Sequence, residues 1–219
     1  MATATVYSAT TDGQISSSDD EAGNYSIARN GTGGLTSNAV AATITPGQRL
    51  IGGAEYQVIE GFLSFDVSAL AGATVTEATL SLWLVTDSST TDFTIEARTH
   101  DWGATLTTAD YVAGGNLAGK TLLASLTTVG IGTGAYVTLT NESTNLVDAI
   151  TAALAGAGVV YVVLCSSRTT GNNAPTGNEF VTMSAADEAG TTQDPKLDIT
   201  YTEAAGGSNH KNMTLLGVG

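Results

Sequence analysis

Between Glu60 and Val85 the sequence EGFLSFDVSALAGATVTEATLSLWLV holds two apolar alternations back to back. Phe62, Phe65 and Val67 lie in the first run, and Val75, Ala78, Leu80, Leu82 and Leu84 mark the second. Apolar side chains on every second position put one face of each strand into a core. The intervening stretch from Asp66 to Gly72 supplies a turn. Two long adjacent strands of this kind commit a chain to an all-β body.

Strand patterns continue on both sides of this hairpin. Ala4 to Ala9, Tyr25 to Ala28, Val40 to Ile44, Phe93 to His100 and Thr121 to Leu126 all read as strands. So do Tyr136 to Leu139, Phe180 to Ser184 and Lys196 to Tyr201. Val159 to Cys165 is apolar without interruption, which implies a strand buried on both faces. Ala104 to Gly119 reads as a long loop. One helix is expected, over Asn141 to Ala155, where Leu146, Val147, Ile150 and Leu154 form a single apolar stripe. Thr140 or Asn141 is placed to cap it, and Gly156 to stop it. About ten short strands and one short helix fit an all-β, two-sheet antiparallel sandwich of jelly-roll type.

The sandwich is expected to occupy residues 1–201, with a linker and tail over residues 202–219. Thr202 to Ser208 has linker composition. Beyond it, Met213, Leu215, Leu216 and Val218 give an otherwise acidic chain an apolar end. Such a segment anchors to a neighbouring protein or packs back on its own domain.

Charge narrows the partners. Seven Lys and Arg face 21 Asp and Glu, for a net charge of -14 over 219 residues. That balance repels phosphate backbones and anionic membrane surfaces, so neither nucleic acid nor a membrane is expected as a partner. Hydrophobic residues make up 42% of the chain, enough for a real core, while aromatics are only 6%. The single cysteine, Cys165, leaves no intrachain disulfide and sits in an apolar strand as a small packing residue. The first residues, MATATVYSATTDG, lack the basic and apolar regions of a secretion signal, so synthesis as a soluble cytoplasmic product is expected.

Several pieces together resemble the DNRLRE-domain family and related carbohydrate-binding-module jelly rolls. Phe65-Asp66-Val67-Ser68 followed by Ala78-Thr79-Leu80-Ser81-Leu82 is similar to that family's strand, turn and second strand. Asp101-Trp102, the helix pattern before a buried strand, and Asp194-Pro195-Lys196-Leu197-Asp198-Ile199-Thr200-Tyr201 agree in order. The resemblance spans roughly residues 4 to 201 and implies a jelly-roll fold. Single-domain sandwiches without a signal also resemble bacteriophage particle proteins such as head-decoration, collar or tail-appendage subunits. That resemblance implies a non-enzymatic virion protein, assembled with capsid, portal or tail subunits and homo-oligomeric. The alternative it implies is a module that binds host surface glycans.

His100, Asp101 and Asp110 beside Trp102 could suggest acid–base work, but two histidines in all leave little for a triad, and no catalytic residue is expected. Asp12, Asp19, Asp20 and Glu21, with Asp187, Glu188 and Asp194, are hard oxygen donors in loops, the ligand type of a structural calcium. No other cofactor is expected. A glycan or a neighbouring subunit would need exposed aromatics, and Trp83, Trp102, Tyr111 and Tyr136 are the candidates.

Overall fold

In the computed structural model, which describes residues 1–20, 22–186, 190 and 192–203, the two alternating runs become the two longest strands. The strands, in chain order, are β1 (Ala2–Tyr7), β2 (Gly13–Ser18), β3 (Gly34–Ala39), β4 (Thr43–Ile44), β5 (Gly47–Ile51), β6 (Glu55–Asp66) and β7 (Thr74–Asp87). They continue as β8 (Thr94–Thr99), β9 (Leu122–Thr127), β10 (Ala135–Thr138), β11 (Thr140–Asn141), β12 (Val159–Ser166), β13 (Asn178–Ser184) and β14 (Lys196–Thr202). The helices are α1 (Tyr25–Asn30), α2 (Gly114–Ala118), α3 (Asn145–Ala155) and α4 (Ser167–Thr170).

Every pairing is antiparallel, and one hydrogen-bonded path runs β1-β14-β7-β13-β5-β6-β12-β8-β9-β11. The path folds over at β13. Val181 to Met183 pair with β7, whereas Asn178 to Phe180 pair with β5. Two layers result. The first holds β1, β14, β7, β10, β4 and part of β13; the second holds β3, β2, β6, β5, β12, β8, β9 and β11. We call them the first and second sheets. The fold is thus an all-β sandwich, and β6 and β7 fall in opposite sheets without pairing, so the stretch expected as a hairpin instead crosses from one layer to the other.

The main core lies between the sheets. Leu80, Leu82, Leu84, Leu197 and Ile199 face Leu63, Phe65, Ile95, Val162 and Leu164. Each such side chain, fully buried, contributes roughly 1.5–3 kcal/mol. Leu146 and Ile150 of α3 join the same core. The helix starts at Asn145 rather than at the expected Asn141, because Thr140 and Asn141 form β11. Asn141 Nδ2 donates to the Ala78 carbonyl rather than capping, and Thr144 takes the N-cap position.

The outer faces of the two sheets differ. On β6 the residues from Val58 to Phe65 are all buried, and on β12 those from Val162 to Ser166. Phe62 therefore does not share a face with Phe65 and Val67. It points away from the sheet interface into a second cluster with Ile15, Trp102, Leu106, Val112, Leu117, Val163 and Cys165. Residues 101–119, of which 104–119 are expected as a loop, and the short helices α1, α2 and α4 form a cover over this outer face. Tyr25 to Ala28, expected as a strand, is the start of α1. Asn24 Oδ1 accepts from the Ser26 amide at its beginning, and left-handed Gly31 (φ 68°) ends it. Among the described residues, three short α-helices thus accompany the one the sequence announced.

Candidate functional site

The uncovered face is that of the first sheet. Strand alternation sends Leu80, Leu82 and Leu84 into the core and so turns Glu77, Thr79, Ser81, Trp83 and Val85 of β7 outward. Lys196, Asp198 and Thr200 of β14 share that face, as do Thr3, Thr5 and Tyr7 of the edge strand β1. β10 adds Tyr136 and Thr138 from the other side.

Register builds a small constellation at one end of this face. Tyr136 lies directly across from Trp83, and the rings meet edge to face with centroids 5.3 Å apart at 89°. Such a pair is worth about 0.5–1.5 kcal/mol beyond its buried area. Lys196 Nζ sits 4.9 Å from the Tyr136 ring centre, a cation–π contact. The Tyr136 hydroxyl donates to the Asp194 carbonyl at 2.8 Å, which fixes the ring. Partial burial and the nearby Tyr7, Asp194 and Asp198 raise its pKa. In the next row, Ser81 and Thr138 share a hydrogen bond at 3.0 Å, and Lys196 pairs with Asp198 at 3.1 Å. Burial pushes the Asp198 carboxyl up, but the Thr5 hydroxyl, donating at 2.6 Å, and Lys196 outweigh it and hold the group below its ordinary value. Tyr7 and Val85, at 39% and 38% exposure, widen the apolar area. A shallow groove bordered by Thr3, Thr5, Glu77, Thr79, Asp198 and Thr200 continues from it.

Of the four aromatic residues singled out from sequence, the structure brings Trp83 and Tyr136 together and separates the other two. Trp102 is 3% exposed, stacked edge-on against Phe62 and Tyr161, with Nε1 donating to the Leu63 carbonyl. It plugs the cover, not the space between the sheets, and offers nothing to a ligand. Tyr111, half-buried, is tied down as well. Its hydroxyl donates to the Ala28 carbonyl at 2.9 Å, and burial pushes its pKa well up. Both sit on the covered side of the second sheet, so no four-residue aromatic row exists. The tail residues Met213, Leu215, Leu216 and Val218 lie outside the described residues.

The polar candidates turn out to be turn-makers. His100 Nε2 lies 3.0 Å from the Asp110 carbonyl oxygen, and burial lowers its pKa, so the ring is neutral at pH 7. Asp110 Oδ2 accepts from the amide and hydroxyl of Thr107, while Asp101 Oδ1 accepts from the Gly103 amide. Asp19 spends both oxygens on the Asn24 and Tyr56 amides, and Asp12 Oδ1 accepts from Ser64. Among the described residues no group of three or more His, Cys, Asp or Glu side chains is gathered as a metal site would need. Glu21, Asp187 and Glu188 lie outside them. Cys165 is buried in the cover cluster, and burial raises its thiol well above the ordinary value, which makes it unreactive.

Sequence reading missed two buried polar features. Gln48 Oε1 accepts from Tyr25 and Thr169, while its Nε2 donates to Glu179, which Arg168 Nε meets at 2.6 Å. This network ties α1 and α4 to β5 and β13. Glu60, fully buried on β6, accepts from the Val112 amide through Oε2, while Oε1 has no hydrogen-bond partner among the described residues. Periodicity carries no signal for either, since each depends on distant partners. Tyr7 and Lys196, the residues missed at the aromatic pair, come from the two ends of the described chain. What the site offers is apolar ring surface, hydroxyls and one ammonium, a set suited to holding a partner. Comparison of the chain with family models and with curated proteins finds no match.

Proposed function

We propose that the chain is a non-enzymatic structural subunit of a bacteriophage particle, a head-decoration, collar or tail-appendage protein. It docks on neighbouring virion proteins through the outer face of the first sheet, and its home is the virion. One observation carries the docking reading: the second sheet's outer face is sealed by a cover, while the first sheet presents Trp83, Tyr136, Tyr7 and Val85 without one among the described residues. Aromatic side chains held rigid in this way cost little entropy on binding and anchor protein interfaces. The particle assignment rests on the resemblance. The apolar tail, with Met213, Leu215, Leu216 and Val218, supplies a second attachment.

Particles assembled with W83A or Y136A protein measure the first attachment, and those assembled with a chain lacking residues 206–219 measure the second. The aromatic variants are expected to lose at least tenfold in incorporation while melting as cooperatively as the parent. Normal incorporation of all three variants would rule out both attachments.

A second reading is favoured by the groove beside the aromatic pair. Rings flanked by Thr3, Thr5, Thr79 and Asp198 offer stacking surface and hydrogen-bond partners to a host glycan. A glycan array that lights up with the parent and goes dark with W83A supports it; an array without hits removes it.

A further inference from the structure

We infer that β1 is a pairing edge, through which two copies of this chain join their first sheets into one continuous antiparallel sheet. β1 pairs with β14 along one side over all six residues, from Ala2↔Tyr201 to Tyr7↔Lys196, with no bulge. Along its other side no strand is present among the described residues. An open edge is normally blunted by a charged side chain, a proline or a bulge. The sequence of β1, ATATVY, has none of these, and its Thr, Val and Tyr favour extended backbone. The other long open edge, β3, differs. It begins at Gly34, carries Ser37 and Asn38, and packs Leu35 against the cover.

The core also stops short at this edge. Ala4 and Val6 pack against the main core yet remain only half-buried, because no described residue adds a strand beside them. A further strand would complete their burial. Two features of β1 identify that strand as a second β1. First, the sequence is complementary to itself. An antiparallel pairing must keep Ala2, Ala4 and Val6 on the core side in both copies. Registers centred on Ala4 or on Thr5 do this. They place Ala4 beside Ala4 or Val6 of the other copy, and Thr5 beside its Thr3 or Thr5. Second, no side chain of β1 is charged, so the pairing sets no like charges opposite each other despite the net charge of -14.

The two-fold axis of such a ribbon is perpendicular to the sheet. Both aromatic pairs then face the same side, and the dimer presents two docking faces to one partner surface. This consequence depends on the docking proposal above; the dimer itself does not. A six-residue ribbon buries less than the roughly 1,200 Å² of a standard stable interface, so the dimer is a concentration-dependent one. Self-repulsion of the acidic subunits makes it tighter in salt.

Sedimentation velocity of the full chain across a concentration series, at low and moderate salt, tests this. A monomer–dimer equilibrium that shifts toward dimer with salt is expected. The double variant Thr3→Lys with Thr5→Lys brings ammonium groups opposite each other in either register and is expected to weaken the dimer about tenfold, with an unchanged melting profile. Hydrogen exchange of the parent over residues 2–7 is expected to slow as concentration rises, which reads the edge without any substitution. A parent chain that stays monomeric throughout overturns the inference, as does a dimer whose residues 2–7 exchange independently of concentration. If the parent is monomeric while residues 1–203 alone dimerise, the chain's own tail is the occupant of the edge and the second copy is not.

Discussion

Glu60 shows what a single side chain can impose on this molecule. Its carboxyl is shut beneath the cover with one backbone donor, and burial raises its pKa well above the ordinary value of 4.5. The Val112 amide pulls the other way but does not prevail. Below the ordinary value, folded and unfolded chains both hold this proton. As pH rises past it, the unfolded chain releases the proton first and the folded chain keeps it. Stability therefore falls with pH, by about 1.4 kcal/mol per unit, until the folded group also ionises. Glu60→Gln removes this slope and keeps an acceptor for Val112. It is expected to raise the melting temperature at pH 7 and above, and to leave it nearly unchanged near pH 4. A variant that melts below the parent at pH 8 would show that the carboxyl is satisfied in a way its geometry does not suggest.

At the scale of elements, the contact between α1 and the cover is the most exposed to substitution. Gly31 ends the helix in the left-handed region, and a Cβ there would stand 2.5 Å from the Tyr111 ring. Gly31→Ala meets both backbone strain and overpacking, and is expected to cost more than about 1 kcal/mol in chemical denaturation. The same small helix shows where sequence reading stopped. Tyr25, Ser26, Ile27 and Ala28 have strand-like composition, and six residues are too few to display a helical period. Local punctuation was there, in Asn24 before and Gly31 after. What holds the helix in place is remote: the Tyr25 hydroxyl on Gln48 and the Tyr111 hydroxyl on Ala28. β6 and β7 are legible as strands because twenty-odd residues repeat one simple period, but their lying in opposite sheets is not, since it depends on remote partners. Even there the parity of Phe62 is not legible, since a strand buried on both faces loses its alternation. β12, uninterrupted in its apolar run, announced the same situation openly.

For the whole molecule, the decisive feature is that the two sheets are dressed unequally. One side spends helices, turns and a buried polar network on closing itself off. The other leaves an aromatic pair, a lysine and a row of threonines uncovered among the described residues. Composition, with its few aromatics, made Trp83 and Tyr136 visible as candidates, while Trp102 and Tyr111 looked equivalent to them. Only the third dimension tells the two pairs apart, because their neighbours come from segments far away in the chain.

The inequality also equips the protein with its own pair of optical reporters. Its two tryptophans stand on opposite sides of the sandwich, Trp102 sealed under the cover and Trp83 on the open sheet. A soluble quencher such as acrylamide should reach the Trp83 emission and spare that of Trp102 in the folded chain. Occupation of the open sheet would then remove the quenchable fraction with no change in the protected one. Loosening of the cover would do the reverse, so one fluorescence titration can tell docking apart from unfolding.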